Sequence, residues 1–459
     1  MKFTYLYCYI LCFLLVSYCG VLVFAEEKSL PLQGNPTPDF DSDLVERLFL
    51  EAREGIFQIK ISKTASSPKA SYGTAFAVDT RGLLVTNYHV VAPLFFTPPE
   101  SPLSLFILTK TGPLLAQVVT LDLVHDLALI SIPNKLKRSL RLASTVPRKG
   151  QKIYSIGIPK DLNVSLVEAT SNGLLTYGPY EQLHMSGPIN GGMSGGPTLN
   201  RYGEVVGVNV SYLLNAQNIS FSIPVSYVRK LLSSRLSKSS LFLADIQHPQ
   251  HFLFMEQQLL RVQESFIKEL KKQTHRSTLL DDWSIMTPPD LMKCWSTFRN
   301  ESTQLLSLTT QSCAVGGKTF MKEGLSLGDF DWQMTVFKNK NRSFLPFYFF
   351  LHQAYNHEFK TMPYLFDSKK RCLEWSGLNR HHIRITMNVC LRSLPRFPSL
   401  FMMNAKWMAF PPDIPGIPSQ VLMMKTQVRG FSAEGIKKYL AFHMDALNFT
   451  AGGGTIIER

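Results

Sequence analysis

Charge is sparse in this chain. Charged residues fill 18% of its 459 positions, against 45% hydrophobic ones, a balance that excludes an extended polyelectrolyte and fits globular structure. Long basic runs are missing as well, although the formal net charge is +14. Lys and Arg are scattered, so no nucleic-acid partner is expected, and contact with an anionic cell surface is the partner class that the surplus leaves open. No C-x-x-C spacing occurs among the cysteines. That argues against a four-cysteine zinc site, and no metal or cofactor is expected. After residue 25, no stretch is apolar and uncharged for long enough to span a bilayer.

The first 25 residues are different. Lys2 precedes an almost wholly apolar run over residues 5–24, and Val23-Phe24-Ala25 ends in the small residue that a signal peptidase prefers. Residues 1–25 are expected to be a cleaved secretory signal, leaving a secreted or periplasmic chain. Tyr18 stands before Cys19, where lipid attachment needs a small residue. Cleavage would remove Cys8, Cys12 and Cys19 and leave Cys294, Cys313, Cys372 and Cys390, an even number in an oxidising compartment. Two disulfides are expected. Three pairings are possible, and the local pairs Cys294–Cys313 and Cys372–Cys390 are favoured.

A chain of this length calls for more than one domain. Residues 26–43 are polar and proline-rich and read as a linker, with Asp41, Ser42 or Asp43 placed to cap a short helix over 44–54. Alternating runs at 56–61, 74–78, 83–86, 105–109, 116–122 and 127–132 predict one set of strands, with a turn at 79–82. Runs at 152–158, 164–170, 173–177, 185–186, 197–199, 205–210 and 219–223 predict a second set, and Pro224 opens a closing helix. Residues 44–240 then form one domain and 241–459 another. In the latter, Phe252, Met255, Leu259, Val262, Phe266 and Leu270 recur at three and four, the stripe of an amphipathic helix that packs on a core or on a second copy in a homo-oligomer. Short aromatic strands are expected around Phe320, Phe330-Asp331-Trp332, 347–351 and 383–391, a rigid proline-rich loop at 409–418 and a last helix over 433–447. His381 and His382, adjacent on a strand, would point to opposite faces and bind no common metal.

Residues 191–197 read GGMSGGP, with Ser194 among four glycines. Such a turn can present a hydroxyl beside clustered backbone N–H groups, which is what acyl transfer needs. Upstream lie LLVTNYHVV, containing His89, and HDLALISI, containing Asp126. These three segments, in this order, resemble the signatures of trypsin-like serine proteases, closest to the HtrA-type bacterial branch. GEVVGVNV (203–210) and ISFSIPVSYVRKLL (219–232) extend the likeness, which covers about residues 44–235. The resemblance implies a mainly β fold: two six-stranded β-barrels of the trypsin-like type, followed here by a C-terminal α+β accessory domain of unknown role. It assigns Ser194 as nucleophile, His89 as general base and Asp126 as the carboxylate that orients it. The N–H groups of Gly192 and Ser194 would form the oxyanion hole, and Gly207, Asn209 and Val210 would bind substrate.

Departures from the family bear on how such an enzyme would work. Met193 stands where relatives carry Asn or Asp, so it cannot receive a new N-terminus, and a loop free to shift is expected. Tyr88 replaces a small residue before the histidine, with bulk that could reshape the site. Pro188, six residues before Ser194, supplies no acidic floor for Lys or Arg, and the resemblance implies a modest apolar pocket. No carboxylate-binding glycine loop of a PDZ domain is recognisable after residue 240. The expected function is a secreted serine endopeptidase acting on protein or peptide substrates through an acyl-enzyme. The alternative is a protease-fold binding protein or holdase whose Ser194 is idle.

Overall fold

The computed structural model describes residues 40–159, 162–176, 180–210, 218–237, 248–273, 277–300, 306–316, 319–340, 344–356, 370–412 and 418–449. The expected signal at 1–25 and half of the expected proline-rich loop at 409–418, residues 413–417, lie outside them, while residues 409–410 end a strand. Helix α1 (Phe40–Ala52) begins inside the stretch read as linker, so Asp41 to Asp43 belong to the helix and do not precede it.

Six strands close the first barrel in the order β1-β2-β3-β6-β5-β4: β1 (Ile56–Ser62), β2 (Ser71–Ala77), β3 (Leu83–Thr86), β4 (Ser104–Thr109), β5 (Gly112–Asp122) and β6 (Leu127–Ser131). The turn into β3 has a local cause. Asp79 Oδ1 accepts the N–H groups of Arg81 (2.9 Å) and Leu83 (3.0 Å), and Gly82 takes φ +101 where a Cβ would come 2.3 Å from the Ile132 carbonyl oxygen. After β3 the chain turns into two short helices, α2 (Tyr88–Val91) and α3 (Pro93–Phe96). The second barrel closes in the order β10-β11-β12-β9-β8-β7, from β7 (Lys152–Gly157), β8 (Ser165–Thr176), β9 (Glu181–Ser186), β10 (Pro197–Leu199), β11 (Val205–Val210) and β12 (Ser220–Pro224). The two runs expected at 164–170 and 173–177 are a single strand, β8, whose register shifts between Ser171 and Leu174. Gly173, at φ +82, lies in that shift. Helix α4 (Val225–Ser237) follows.

The C-terminal domain opens with the predicted amphipathic helix, α5 (Pro249–Gln273), and the small strands β13 (Ser277–Leu280) and β14 (Trp283–Met286). Its main sheet is seven-stranded and antiparallel, in the order β15-β16-β19-β23-β22-β21-β20. The members are β15 (Met292–Asn300), β16 (Leu306–Val315), β19 (Asp329–Asn339), β20 (Arg371–Leu378), β21 (Arg384–Leu394), β22 (Phe397–Phe410) and β23 (Gln420–Phe431). A hairpin of β17 (Thr319–Lys322) and β18 (Leu325–Leu327) stands between β16 and β19. Alternation sorts the two faces of the sheet. Leu422, Met424 and Val428 of β23 pack under α5 and under α7 (Ala433–Ala446), whereas Val421 and Met423 meet Phe347 and Leu351 of α6 (Phe344–Asn356). The aromatic run at 347–351 is therefore a helix, not the strand its composition suggested. Ser432 caps α7 by accepting the Gly435 N–H at 3.0 Å, and β24 (Asn448–Phe449) joins β14. His381 and His382 fall in the turn before β21, with His382 at φ +58, and not on a strand.

Both favoured disulfides are present. Cys294 faces Cys313 across β15 and β16 (S–S 2.04 Å), and Cys372 faces Cys390 across β20 and β21 (2.11 Å). Helix α5 divides its apolar stripe between two cores. Phe252, Met255 and Leu259 enter the core of the first barrel, and Phe266 and Leu270 enter that of the sheet. The first barrel and the C-terminal domain thus share one continuous apolar interior, which also takes in Met321, Leu325, Leu327, Phe397 and Leu400.

Candidate active site

Strand β3 ends at Thr86, and Asn87 carries the chain in extended conformation (φ −80, ψ 150) into α2, so His89 is presented on a helical turn and not on the strand itself. Asp126 sits in the turn between β5 and β6 at φ +51, a conformation that a non-glycine residue holds only where its surroundings enforce it. Here they do. The Asp126 carbonyl accepts the Tyr88 N–H (3.1 Å) and the Asn87 side-chain amide (2.8 Å). The carboxylate chelates His89, with Oδ1 accepting its backbone N–H at 2.8 Å and Oδ2 lying 2.7 Å from Nδ1. An ionised carboxylate can only accept, so Nδ1 carries the proton and Nε2 keeps a free lone pair. Burial by itself would lower the His89 pKa, but the Asp126 charge and hydrogen bond outweigh it and raise the pKa above the ordinary histidine value of 6.5.

The Ser194 turn is fixed from beneath by Thr74 of β2. Its N–H donates to the Ser194 carbonyl (2.9 Å), and its hydroxyl donates to the Gly192 carbonyl (2.7 Å) while accepting the Ile158 N–H (3.0 Å). Thr86 Oγ1 in turn donates to the Thr74 carbonyl at 2.8 Å. Gly195, at φ +86, is pressed so closely on these residues that a Cβ would lie 2.1 Å from Thr74 O and 3.1 Å from Asn87 N. That contact docks the turn against the start of the His89 helix. The N–H groups of Met193, Gly195 and Gly196 donate to Asn190, Asn209 and Met193, respectively. Those of Gly192 and Ser194 donate to no backbone carbonyl among the described residues, which leaves two donors flanking the Ser194 side chain. No hydrogen bond joins the Ser194 hydroxyl to the His89 ring among the described residues. Such bonds are commonly long before substrate arrives.

Two expectations about this loop change. The Met193 side chain is wholly buried with Ile153, Leu183, Met185 and Ile189 in the core of the second barrel. It anchors the turn and does not leave it free to shift. Asn209, expected to bind substrate, is also wholly buried. Its amide donates to the Ile156 carbonyl (3.0 Å) and accepts the Thr198 hydroxyl (2.7 Å), so its side chain is spent bracing the loop from inside the barrel. Gly207 packs tightly on β12, where a Cβ would meet Ser222 Cβ at 2.9 Å, and Val210 is half-buried at the end of β11.

Sequence reasoning passed over three features beside the site. His125 repeats the geometry of His89, with its N–H donating to Asp122 Oδ1 (3.1 Å) and Nδ1 lying 2.6 Å from Oδ2. Its ring stacks on Tyr227 at 3.8 Å and meets Tyr180 edge-on at 5.0 Å. The signal was present as a second histidine three residues after an aspartate, next to Asp126. Gln258 of α5 was hidden by the apolar stripe around it. It accepts the Leu123 N–H (2.9 Å) and donates to the Leu121 carbonyl (3.2 Å), holding the chain that leads into Asp126. The third is Phe320, whose ring centroid lies 6.0 Å from that of His89. Tyr88 does not reach into the cleft. It is wholly buried, and its hydroxyl donates to the Met321 carbonyl at 3.0 Å.

Residues 73–208 match the trypsin-like peptidase domain family. The putative protease Do-like 14 of Arabidopsis thaliana is 32% identical over 173 residues, which cover 35% of this chain and 40% of that protein. Serine protease HTRA1A of Danio rerio is 30% identical over 225 residues, 47% of this chain and 44% of that protein. The probable periplasmic serine endoprotease DegP-like of Pseudomonas fluorescens is 32% identical over 165 residues, 34% of this chain and 33% of that protein. This chain thus spans less than half the length of each of these three relatives. Among solved structures, that of Deg5 aligns with 41% of this chain and 92% of its own at 26% identity, with a TM-score of 0.36.

Proposed function

From a chain that carries a trypsin-like peptidase domain with HtrA-type relatives, we propose a secreted or periplasmic serine endopeptidase that cuts protein or peptide substrates through an acyl-enzyme. In this reading His89 Nε2 takes the proton of the Ser194 hydroxyl as Oγ bonds to the scissile carbonyl carbon. The resulting oxyanion accepts the N–H groups of Gly192 and Ser194, and one such donor is typically worth about 3 kcal/mol in the transition state. Asp126 stabilises the imidazolium, which then returns its proton to the leaving amine as the C–N bond breaks. Water, deprotonated by the same imidazole, releases the acyl group. The observation that carries the reading is the two-point grip of the Asp126 carboxylate on His89, which directs Nε2 away from the carboxylate as a base. Pro188 gives no support for cleavage after Lys or Arg, and a small apolar side chain at that position is the preference proposed. The two cross-strand disulfides and the apolar N-terminal run support an oxidising compartment.

A binding role with an idle Ser194 draws on one observation, the absence of a Ser194–His89 hydrogen bond among the described residues. A fluorophosphonate probe separates the two readings. Covalent labelling of the full chain, seen as a mass adduct and lost in Ser194→Ala, is the expected result. A chain that stays unlabelled in the presence of unfolded protein substrates overturns the protease reading.

A further inference from the structure

The C-terminal domain reaches the His89 ring itself through the β17–β18 hairpin. The β17–β18 hairpin sends Phe320 against the His89 ring, with centroids 6.0 Å apart and planes crossing at 78°. The same ring meets Tyr88 at 6.5 Å and 66°. One residue on, the Met321 carbonyl accepts the Tyr88 hydroxyl across 233 positions of sequence. Both Tyr88 and Met321 are wholly buried, so this bond is shielded from competing water.

The hairpin is itself held from two sides. Met321, Leu325 and Leu327 share the core of the first barrel with Val90 and Val91 of the His89 helix. On its other side the Gly328 N–H donates to the Arg429 carbonyl on β23 at 2.8 Å, and Gly430, at φ +77, lies so close that a Cβ would come 2.9 Å from Leu327 Cβ. Two further contacts run from the C-terminal domain to the same part of the barrel. Gln258 grips Leu121 and Leu123 ahead of Asp126, and Arg396 donates to the Phe95 carbonyl at 2.5 Å. Both members of the His–Asp pair are thus backed by side chains from the C-terminal domain.

We propose that the C-terminal domain is a built-in part of the active site, with Phe320 as the positioning residue that keeps the His89 ring in its Asp126-bound rotamer. The inference rests on the protease reading for its consequence, not for its geometry. A partly exposed imidazole can swing away from its carboxylate, and each departure removes the base. An aromatic ring packed edge-on against it opposes that motion. Aromatic pairs of this kind shift such an equilibrium by about fivefold, and water reaching the His89–Asp126 bond in the absence of Phe320 would weaken it further. Hydrolysis therefore depends on a domain that supplies none of the reacting atoms.

The test uses the full chain as wild type, Phe320→Ala, Phe320→Leu and Phe320→Tyr, with two readouts: the second-order rate of fluorophosphonate labelling at neutral pH, and the far-downfield proton resonance of His89 Nδ1–H. Phe320→Ala is expected to label about five- to tenfold more slowly and to lose the downfield signal to exchange with water. Phe320→Tyr is expected to restore both, and Phe320→Leu to restore part of the rate. If Phe320→Ala does not fold, Leu against Tyr gives the same comparison in a milder form. Labelling at the wild-type rate with the resonance intact overturns the proposal. Faster labelling overturns it as well, since the hairpin would then be an inhibitory cover. A wild-type chain that shows the resonance but never labels defeats the protease reading alone, and the positioning role is then decided by the resonance in the variants.

Discussion

Thr74, Thr198, Asn209 and Ser222 are buried in the barrels, and every one of their side chains is hydrogen-bonded, within or directly beneath the Ser194 loop. In the C-terminal domain the indole nitrogens of Trp283, Trp332 and Trp407 and both ring nitrogens of His443 are buried without a hydrogen-bond partner among the described residues. Each such orphan costs about 1–3 kcal/mol. The sheet core offsets that cost through the apolar area of its large rings. The contrast separates two ways of building an interior. Around Ser194 the backbone must sit at defined places, because two N–H donors and a hydroxyl have to converge, and directional bonds supply that precision. Under the sheet the interior is mostly apolar volume, packed around one buried hydroxyl pair, Thr426 and Tyr439 (2.6 Å). A domain that acts by leaning one ring on His89 needs stiffness and a shape more than a set of converging donors.

Substitutions that test the contrast should hurt most where direction matters. Asp126→Asn keeps the volume but removes the charge and lets Nδ1 accept, which leaves the wrong nitrogen protonated; loss of activity by about 10⁴-fold is expected. Its pH profile is more informative than its rate. In the wild type the acidic limb should have its midpoint above 6.5, since the Asp126 charge outweighs burial. With that charge gone only burial remains, and the midpoint of the residual activity should fall below 6.5. Labelling rates across pH give both numbers, and an unmoved midpoint would show that His89 is not the titrating base.

Gly195→Ala comes next. Its Cβ would lie 2.1 Å from Thr74 O and 2.3 Å from Thr86 Oγ1 at a positive φ, so the turn has to move, and a loss of about 3 kcal/mol is expected in denaturant unfolding. Thr74→Val, nearly isosteric, deletes the bond to Gly192 O and leaves the Ile158 N–H unpaired. About 2 kcal/mol of stability should go, and labelling should slow because the Gly192 peptide loses its anchor. If Thr74→Val were as stable and as reactive as wild type, the directional network would be ornament and the comparison would collapse.

Much of the barrel half was legible because its signals are local. Period-two alternation marked the strands, Asp79 and Gly82 marked a turn, and the segments holding His89, Asp126 and Ser194 came in a diagnostic order. The four-residue helix at Tyr88–Val91 escaped because it is too short to show a period, and β-branched Val90 and Val91 mimic the strand before them. The 347–351 run was misread for a related reason: aromatic residues favour strands by composition, and only the packing of Phe347 and Leu351 on one side reveals the helix. Met193 was judged by the ion pair it cannot make, and its burial depends on Ile153, Met185 and Ile189 meeting in three dimensions. Phe320 lay beyond any local argument, since nothing in its own segment points to a histidine more than two hundred positions upstream.

The mildest expected effect comes from the C-terminal domain and concerns a histidine buried in its sheet core. His443 is wholly enclosed between Trp332, at 4.7 Å, and Tyr439, at 4.8 Å, and burial holds its pKa down to about 3. The unfolded chain takes up a proton near 6.5 and the folded one does not, so the native state loses stability as pH falls below 6.5, at about 1.4 kcal/mol per pH unit until the folded group also titrates. His89 runs the other way, as its folded pKa is raised and its contribution is lost only as pH rises through that value. His443→Phe removes two orphan nitrogens at similar volume, so stability at neutral pH should hold or rise and the loss over the first unit below pH 6.5 should shrink by about 1 kcal/mol. Urea melts at the two pH values measure this directly. Its labelling rate should follow the wild-type pH profile, because His89 is protonated above 6.5, before the loss at His443 sets in. Parallel acid sensitivity in both proteins would mean that the sheet core does not set the acid limit of the fold.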